Sequence, residues 1–217
     1  LGVRVDHLDQ HMVYNTAIFS NGGAVQKNYT KILPALNLKY VLSDTQNLRF
    51  SASKTYTSPL LIELAPFEYE DIDNSSYGNI DLYPSDNYNV DLKWEMFPKK
   101  SELISITAFA KLIQNPIARV TVASSANIAS FVNVGDTGKI FGSEVEIRKD
   151  LYERNGTRLY AFANATYLHT SQDLDAAKVS RENTTVSVNF IKDKDKMTGA
   201  SDFIANANLG WQQKGSR

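Results

Sequence analysis

The sequence has no cysteine, which excludes disulfide frameworks and thiolate metal sites. Long hydrophobic runs are also missing. Although 42% of the 217 residues are hydrophobic, no stretch approaches the ~18 consecutive apolar residues that a membrane-spanning helix requires. If the chain crosses a membrane, strands must therefore carry the crossing.

An excess of charge of one sign is absent as well. Lysine and arginine total 23 residues, aspartate and glutamate total 24, and the two signs are mixed along the chain. Nucleic-acid-binding domains concentrate basic residues on one surface. We therefore expect no nucleic-acid partner.

Histidine is scarce, since only His7, His11 and His169 are available as imidazole bases. Catalysis needs a nucleophile with a base, or a carboxylate pair in a cleft, and the sequence marks neither combination. His7 and His11 would share one face of a strand, but no third ligand accompanies them. His169 falls at the top of a predicted strand, where a loop-facing role is ordinary. We expect no enzyme, no cofactor and no metal site.

The clearest pattern in the sequence is a strict alternation of apolar and polar residues. It runs from position 88 to position 96, and its apolar members are Tyr88, Val90, Leu92, Trp94 and Met96. A helix would spread these residues around its whole circumference, so the period of two predicts a strand. Softer alternation recurs at residues 1–13, 32–42, 48–56, 104–108, 141–148, 158–167 and 203–212. Together the segments predict about eight strands and no helix of useful length.

The connections between these strands alternate in length. Short turn-forming links lie at residues 43–46, 98–101 and 153–156, and long polar stretches lie at residues 14–30, 58–85, 114–138 and 171–201. Up-and-down outer-membrane barrels combine short periplasmic turns with long extracellular loops. The pattern predicts an all-β fold, the antiparallel up-and-down wall of a transmembrane β-barrel. A soluble antiparallel sheet with one buried face would also alternate, and the residues alone leave that alternative open.

The two faces of such a wall would meet different surroundings. We expect the lipid-facing side chains to include Val90, Leu92, Trp94, Leu209 and Trp211. The inward-facing set should include Asn89, Asp91, Glu95, Glu144 and Asn206. A dry core would not accept that many charges, whereas a water-filled lumen would.

Several stretches resemble the barrel of TonB-dependent outer-membrane receptors. The most distinctive is Gly78-Asn79-x-x-Leu82-x-Pro84, which is similar to a segment that precedes a descending strand in that family. The other stretches that resemble the family are residues 48–59, 63–67, 102–111, 115–117 and 142–149. They occur in the family's order over roughly residues 47 to 150, and the combination is specific although each piece alone is weak.

The resemblance implies a barrel of about 22 strands with an N-terminal plug, energised through the inner-membrane TonB protein. On this interpretation residues 1–217 are a partial β-barrel domain, and the plug domain and the terminal strands lie outside the sequence. The resemblance also implies a place in the cell outer membrane, contact with its lipid, and coupling to the TonB system through the plug region. Iron chelates, cobalamin, sugars and peptides are all possible solutes.

The second long stretch, residues 58–85, is the candidate solute-binding loop. It contains four aromatic residues and an acidic run at residues 68–74. Aromatic rings offer stacking surface, and carboxylates accept hydrogen bonds from hydroxyl-rich solutes. We take Phe67, Tyr69 and Glu70 as candidate ligand-binding residues. A solvated acidic loop whose rings pack on one another is the simpler alternative.

Three classes of function remain, and they are distinguishable. The first is an outer-membrane receptor and transporter component, with energised uptake of a solute. The alternative is a soluble or surface-attached β-sheet binding module of the adhesin type, which would be monomeric without detergent. An outer-membrane enzyme barrel fits least well, because no base constellation stands out.

Overall fold

A long antiparallel sheet dominates the structure, a computed structural model that describes residues 1–15, 22–70, 75–124 and 128–213. Eight long strands lie within these residues. They are β1 (Gly2–Tyr14), β2 (Gly23–Ser43), β3 (Gln46–Thr57), β6 (Ser85–Met96), β7 (Leu103–Gln114), β10 (Thr137–Arg154), β11 (Thr157–Asp173) and β13 (Phe203–Gln213). The shorter elements are α1 (Leu61–Leu64), β4 (Glu68–Glu70), β5 (Ser75–Tyr77), β8 (Ile117–Thr121), β9 (Ala129–Asn133), α2 (Ala176–Glu182) and β12 (Lys194–Asp195).

Each long strand pairs with its neighbour in the chain. The order across the sheet is β1, β2, β3, β6, β7, β10, β11 and β13, and every pairing is antiparallel. Strand β12 adds two residues beside the top of β11. In the part of the chain that is described, β1 and β13 do not pair with each other, so the sheet is an open wall. The predicted all-β, up-and-down architecture of about eight strands is confirmed.

The short links form tight turns at one end of the sheet. Asn155 and Gly156 join β10 to β11 with φ angles of 53° and 78°. Two successive positive φ values define the turn whose twist matches that of a β-hairpin, and Asn-Gly is the preferred pair for it. The link between β2 and β3 is equally short, with Ser43 opposite Gln46. The links at residues 43–46 and 153–156 are therefore short turns, as predicted.

The apolar residues of the wall form rows on one face. Leu92 lies opposite Phe50 on one neighbouring strand and Ala108 on the other. The side chains on this face are open: Leu92 is 46% exposed and Leu209 is 76% exposed. A band of exposed hydrophobic residues on this scale needs a hydrophobic partner, and lipid provides one.

The opposite face carries polar and charged side chains that bond to one another. Glu95, only 8% exposed, accepts from Arg49 at 2.7 Å between Oε2 and Nε. Asp91 accepts from Ser51 at 3.1 Å. Glu144 is partly covered, and Asn206 on the edge strand donates to Asn164 at 2.9 Å. The predicted inward-facing residues therefore share one face.

The long connections are not the purely polar loops that the sequence predicts. Strands β4, β5, β9 and β8 form a second, four-stranded sheet above the wall. Six buried valines from two different connections pack together: Val122, Val132, Val134, Val179, Val186 and Val188. We call the described residues of the connections 58–84, 115–136 and 174–202 the loop cap. Its core is built from segments too short for apolar periodicity to reveal.

One further expectation was wrong. The stretch at residues 14–30 is mostly strand, because β1 and β2 continue as a regular pair as far as Tyr14 and Gly23. Helix α2 has seven residues, begins with the Asp175 side chain accepting from the Lys178 amide, and packs Val179 into the valine core. None of the helices in the described ranges is long and apolar enough to span a membrane.

Candidate functional site

Two of the three predicted ligand-binding residues lie together in the loop cap. The rings of Phe67 and Tyr69 contact each other with centroids 4.5 Å apart, and Phe67 is 39% exposed. Glu70 belongs to the other face of β4, with Glu68, because successive side chains of a strand point to opposite sides. Asp71, the next residue of the acidic run, lies outside the described residues.

The Glu68 face of β4 borders a small apolar cavity within the cap. The cavity has a volume of about 200 Å³ and is lined by Glu68, Tyr77, Ile80, Ile128 and Thr185, among others. Tyr77 lies directly opposite Glu68 in the β4–β5 pairing. The aromatic pair and this cavity therefore flank β4 on opposite sides.

A larger cavity lies where the polar face of the wall meets the underside of the loop cap. We call it the mouth cavity; its volume is about 410 Å³. The wall contributes polar-face residues from four strands, namely Thr57, Ser85, Ile113 and Gln172, while Arg119 and Phe131 come from the second sheet. Sequence reasoning missed this site, because it joins positions that are far apart in the chain and only the fold brings them together.

The motif that carries the family resemblance forms the joint between wall and cap. Gly78, Asn79, Leu82 and Pro84 are all buried. The Asn79 side chain donates to the carbonyl of Phe131 at 2.8 Å, and its oxygen accepts from the amide of Asp81 at 3.0 Å. A Cβ atom on Gly78 would lie 2.2 Å from the Ala65 carbonyl oxygen. The motif is therefore structural, since only glycine permits this close approach.

Asn115 is a second joint, and its φ of 53° is in the left-handed region that asparagine tolerates. Its carbonyl accepts from Ser85 at 2.7 Å and from the Asn133 side chain at 2.9 Å. Asn133 also donates to the Tyr83 carbonyl at 3.0 Å and accepts from the Tyr83 amide. These bonds fix the top of the wall against two of the long connections.

A buried lysine joins all three connections of the cap. Lys178, 6% exposed, donates to Asn115 Oδ1 and Asp136 Oδ1, each at 2.9 Å, and lies 3.4 Å from Glu182. Tyr83 donates to the same Glu182 at 2.8 Å. Burial lowers the pKa of Lys178, but the hydrogen bond to Asp136 and the nearness of Tyr83 and Glu182 outweigh it and raise that pKa to about 12. The lysine is therefore a permanent cation.

Burial acts in the opposite sense on Tyr83, the partner of Glu182. Removal from water disfavours the phenolate, and the hydrogen bond to Glu182 requires the proton, so the pKa of Tyr83 rises to about 12. Tyr83 therefore stays a neutral donor at physiological pH. The cluster holds the loop cap together and offers no group poised to exchange protons near neutrality.

The three histidines do not converge. His7 and His11 share a face of β1, where His7 Nδ1 lies 3.1 Å from the Thr30 hydroxyl. The sequence suggested that His169 faces a loop, but its ring packs beside Phe141 with centroids 5.0 Å apart. Among the residues that the structure describes, no group of three or more histidine, aspartate or glutamate side chains could hold a metal ion.

The geometry defines a class of protein before any comparison. A sheet with an exposed apolar face, a polar face rich in charge, short turns at one end and a folded cap at the other is a segment of membrane β-barrel wall. The sequence matches the family described as TonB dependent receptor-like, beta-barrel, over residues 1–216, and the chain belongs to that family. Membership places it in the outer membrane of a Gram-negative cell. The cap is accordingly extracellular.

Solved structures show the same fold. The siderophore receptor PirA from Pseudomonas aeruginosa superposes with a TM-score of 0.52 at 16% identity, covering 77% of this chain and 32% of that one. A variant of the ferric enterobactin receptor PfeA from the same organism, in complex with enterobactin, gives a TM-score of 0.55 at 18% identity and covers 97% of this chain and 31% of the receptor. The chain therefore spans about a third of these receptors. The comparison with curated proteins found no match.

Proposed function

We propose that the chain is part of the wall of an outer-membrane receptor that takes up a small solute, with an iron chelate as the first candidate. Membership of the TonB-dependent receptor family supports this proposal, as does the fold shared with receptors named for siderophores. The observation that carries it is the mouth cavity. It opens on the polar face of the wall, directly beneath the extracellular cap, where a solute entering a barrel must pass.

The proposed partners follow from the two faces of the wall. Outer-membrane lipid covers the exposed apolar rows, and the TonB system supplies energy through a plug region that belongs to the full receptor. The role is binding and passage without bond chemistry. In the described residues, the charged groups around the buried Lys178 are already satisfied by one another.

Energised uptake can be tested with the full-length receptor in a Gram-negative host that lacks its own ferric enterobactin receptor. We expect the cells to accumulate iron from one or more iron chelates, and a protonophore should abolish the accumulation because uptake draws on the inner-membrane gradient. Empty-vector cells are the control. If no chelate in a panel of catecholate, hydroxamate and carboxylate type is taken up, the receptor serves another kind of solute and the proposal fails.

Phe67 and Tyr69 are proposed as the main solute contacts in the loop cap, and Glu70 as a minor one. The tilted pair of rings offers a stacking surface, and Glu70 faces the other side of β4. Joint replacement of Phe67 and Tyr69 by alanine should weaken chelate binding about tenfold in calorimetry, whereas Glu70→Ala alone should have little effect. Electrophoretic mobility before and after heating checks that the barrel assembles. Unchanged binding by the double variant would show that the rings only pack the loop.

A further inference from the structure

The mouth cavity contains a cation without a counter-charge. Arg119 lies on β8 opposite Phe131 and is exposed to the cavity that both residues line. No ion pair or hydrogen bond satisfies its guanidinium within the described ranges. The one carboxylate among the lining residues is Glu63, and its Oε2 already accepts from the Leu60 amide at 2.8 Å. An arginine presented in this way offers its full set of donors to a ligand.

A second unmatched cation lies one step down the wall. Lys111 precedes the cavity residue Ile113 by two positions on β7, so both side chains lie on the polar face. Its cross-strand neighbours are Asn89 and Ile140, which carry no charge. Within the described part of the chain Lys111 is exposed and makes no ion pair.

Three other cations of the same face lie close to acids. Arg49 lies 2.7 Å and Lys93 3.8 Å from Glu95, and Arg148 lies 3.7 Å from Glu146. Between these pairs and the cap, the polar face presents hydroxyl and amide side chains that include Ser53, Thr55, Asn89 and Thr170. The mouth therefore combines neutral hydrogen-bonding groups with positive charge, a setting that favours an anion.

We infer that the solute is anionic and that Arg119 is its principal charge contact, with Lys111 receiving the same charge one step deeper. The inference rests on the proposed uptake function and names the class of solute that this function serves. A chelate that presents carboxylate or catecholate oxygens fits the fork of donors on arginine, and the Phe131 ring beside it suits an aromatic group of the same ligand. A neutral chelate gains nothing from either cation.

The test compares two probes on the detergent-solubilised full-length receptor. Ferric enterobactin is anionic, and a neutral ferric trihydroxamate is the counterpart. Binding is followed by quenching of tryptophan fluorescence. We expect the anionic chelate to bind more tightly, and Arg119→Gln to lose about tenfold or more of that affinity, because a charge-assisted contact is removed. Arg119→Lys should retain most of it, and Lys111→Gln should lose several-fold.

The matched control is Lys139→Gln, which removes an exposed cation from the apolar face of β10 that has no ion pair among the described residues. It should change binding of neither probe. Any residual affinity of Arg119→Gln for the neutral chelate shows that the variant is folded; heat-dependent electrophoretic mobility shows the same independently.

Each remaining outcome is decisive. If the wild-type receptor binds ferric enterobactin and Arg119→Gln binds it equally well, the inference is overturned and the proposed uptake function stands. If the wild-type receptor binds the neutral chelate more tightly, the inference is likewise overturned and the proposed uptake function stands. If the wild-type receptor binds neither probe nor any other iron chelate, both the inference and the proposed function fail.

Discussion

Buried side-chain hydrogen bonds join the connections at the extracellular end of this protein. Lys178, Asn115 and Asn79 each bond to partners that are distant in sequence. These hydrogen bonds are buried. In a buried position, a donor or acceptor without a partner costs more stability than a satisfied hydrogen bond contributes. The sequence could not mark them, because a lysine in a short helix and an asparagine in a loop are ordinary residues until the fold assembles their surroundings.

Replacement of Lys178 by methionine should loosen the loop cap without affecting the wall. The change keeps the apolar stem but leaves Asn115 and Glu182 without their shared donor, at a cost of ~1–3 kcal/mol to local opening. Amide hydrogen exchange should accelerate in residues 115–136 and 174–190, with β6 and β7 unchanged. Lys192→Met is the control, since Lys192 is exposed and its one ion pair among the described residues is with Asp195. Equal exchange in both variants would contradict the structural role of Lys178.

The same cluster gives a defined pH dependence. The ordinary pKa of lysine is 10.5 and that of Lys178 is about 12, so its contribution to stability is complete below pH 10.5 and is lost as the pH rises through 12. Tyr83 acts in the same direction over a similar interval, from its ordinary value of 10.0 to about 12. Hydrogen exchange of the cap, corrected for intrinsic rates, should therefore show constant protection from pH 6 to pH 9. Protection that falls within that range would show that another group governs the cap.

Gly78 should not accept a side chain. A Cβ atom there would overlap the Ala65 carbonyl, which belongs to backbone and cannot swing aside, so Gly78→Ala should cost ~1–3 kcal/mol of cap stability. Limited proteolysis of the assembled receptor measures this as faster cleavage in the extracellular loops. Gly2→Ala is the control, because no heavy atom lies within 4 Å of its added Cβ. Equal cleavage rates would show that the joint is more pliable than its geometry indicates.

At the scale of elements, turns and lipid-facing strands were predictable, and the cap was not. The alternation in β6 and the Asn155-Gly156 pair are local signals that tertiary contacts do not override. The upper half of β2 escaped prediction because its covered face holds Lys27, which donates to the Leu82 carbonyl, rather than an apolar row. Above the membrane, the loop cap covers the strands. Its contacts with them are polar, so the sequence there shows no alternation of apolar and polar residues.

The β10–β11 turn should be sensitive to its glycine. Gly156 has a φ of 78°, which costs a β-branched residue ~1–2 kcal/mol, so Gly156→Val should lower the urea concentration at which the receptor unfolds in detergent micelles. Thr45→Val is a suitable control, because Thr45 occupies the β2–β3 turn at negative φ. A midpoint unchanged by Gly156→Val would mean that this turn relaxes freely in the assembled barrel.

At the scale of the whole molecule, two environments act on one sheet. Along each strand, successive side chains alternate between the charged face and the apolar face, so the wall has no core of its own. The buried valine cluster of the protein lies in the cap. The wall is therefore stabilised by lipid on its apolar face and by the aqueous lumen on its polar face. The cap is stabilised in water by its own core. The sequence predicted the two faces of the wall and could not predict the core of the cap.

Arginine in place of Leu92 should impair membrane assembly. Leu92 lies in the middle of β6 on the exposed apolar face, and a charge near the bilayer midplane costs ~2–4 kcal/mol. The yield of heat-modifiable receptor in outer-membrane fractions measures the effect. Thr107→Arg introduces the same charge on the polar face, opposite Lys93 and Glu144, and should assemble normally. Normal assembly of Leu92→Arg would reverse the assignment of the two faces.

The shared core of the loop cap also determines which surface of this receptor antibodies can recognise. Val122 and Val134 come from one connection and Val179 from another that is distant in sequence, yet they pack as one folded body. An antibody elicited by the intact surface would therefore bind an epitope assembled from several loops. Serum raised against a linear peptide from a single loop should recognise the denatured chain and largely ignore the living cell.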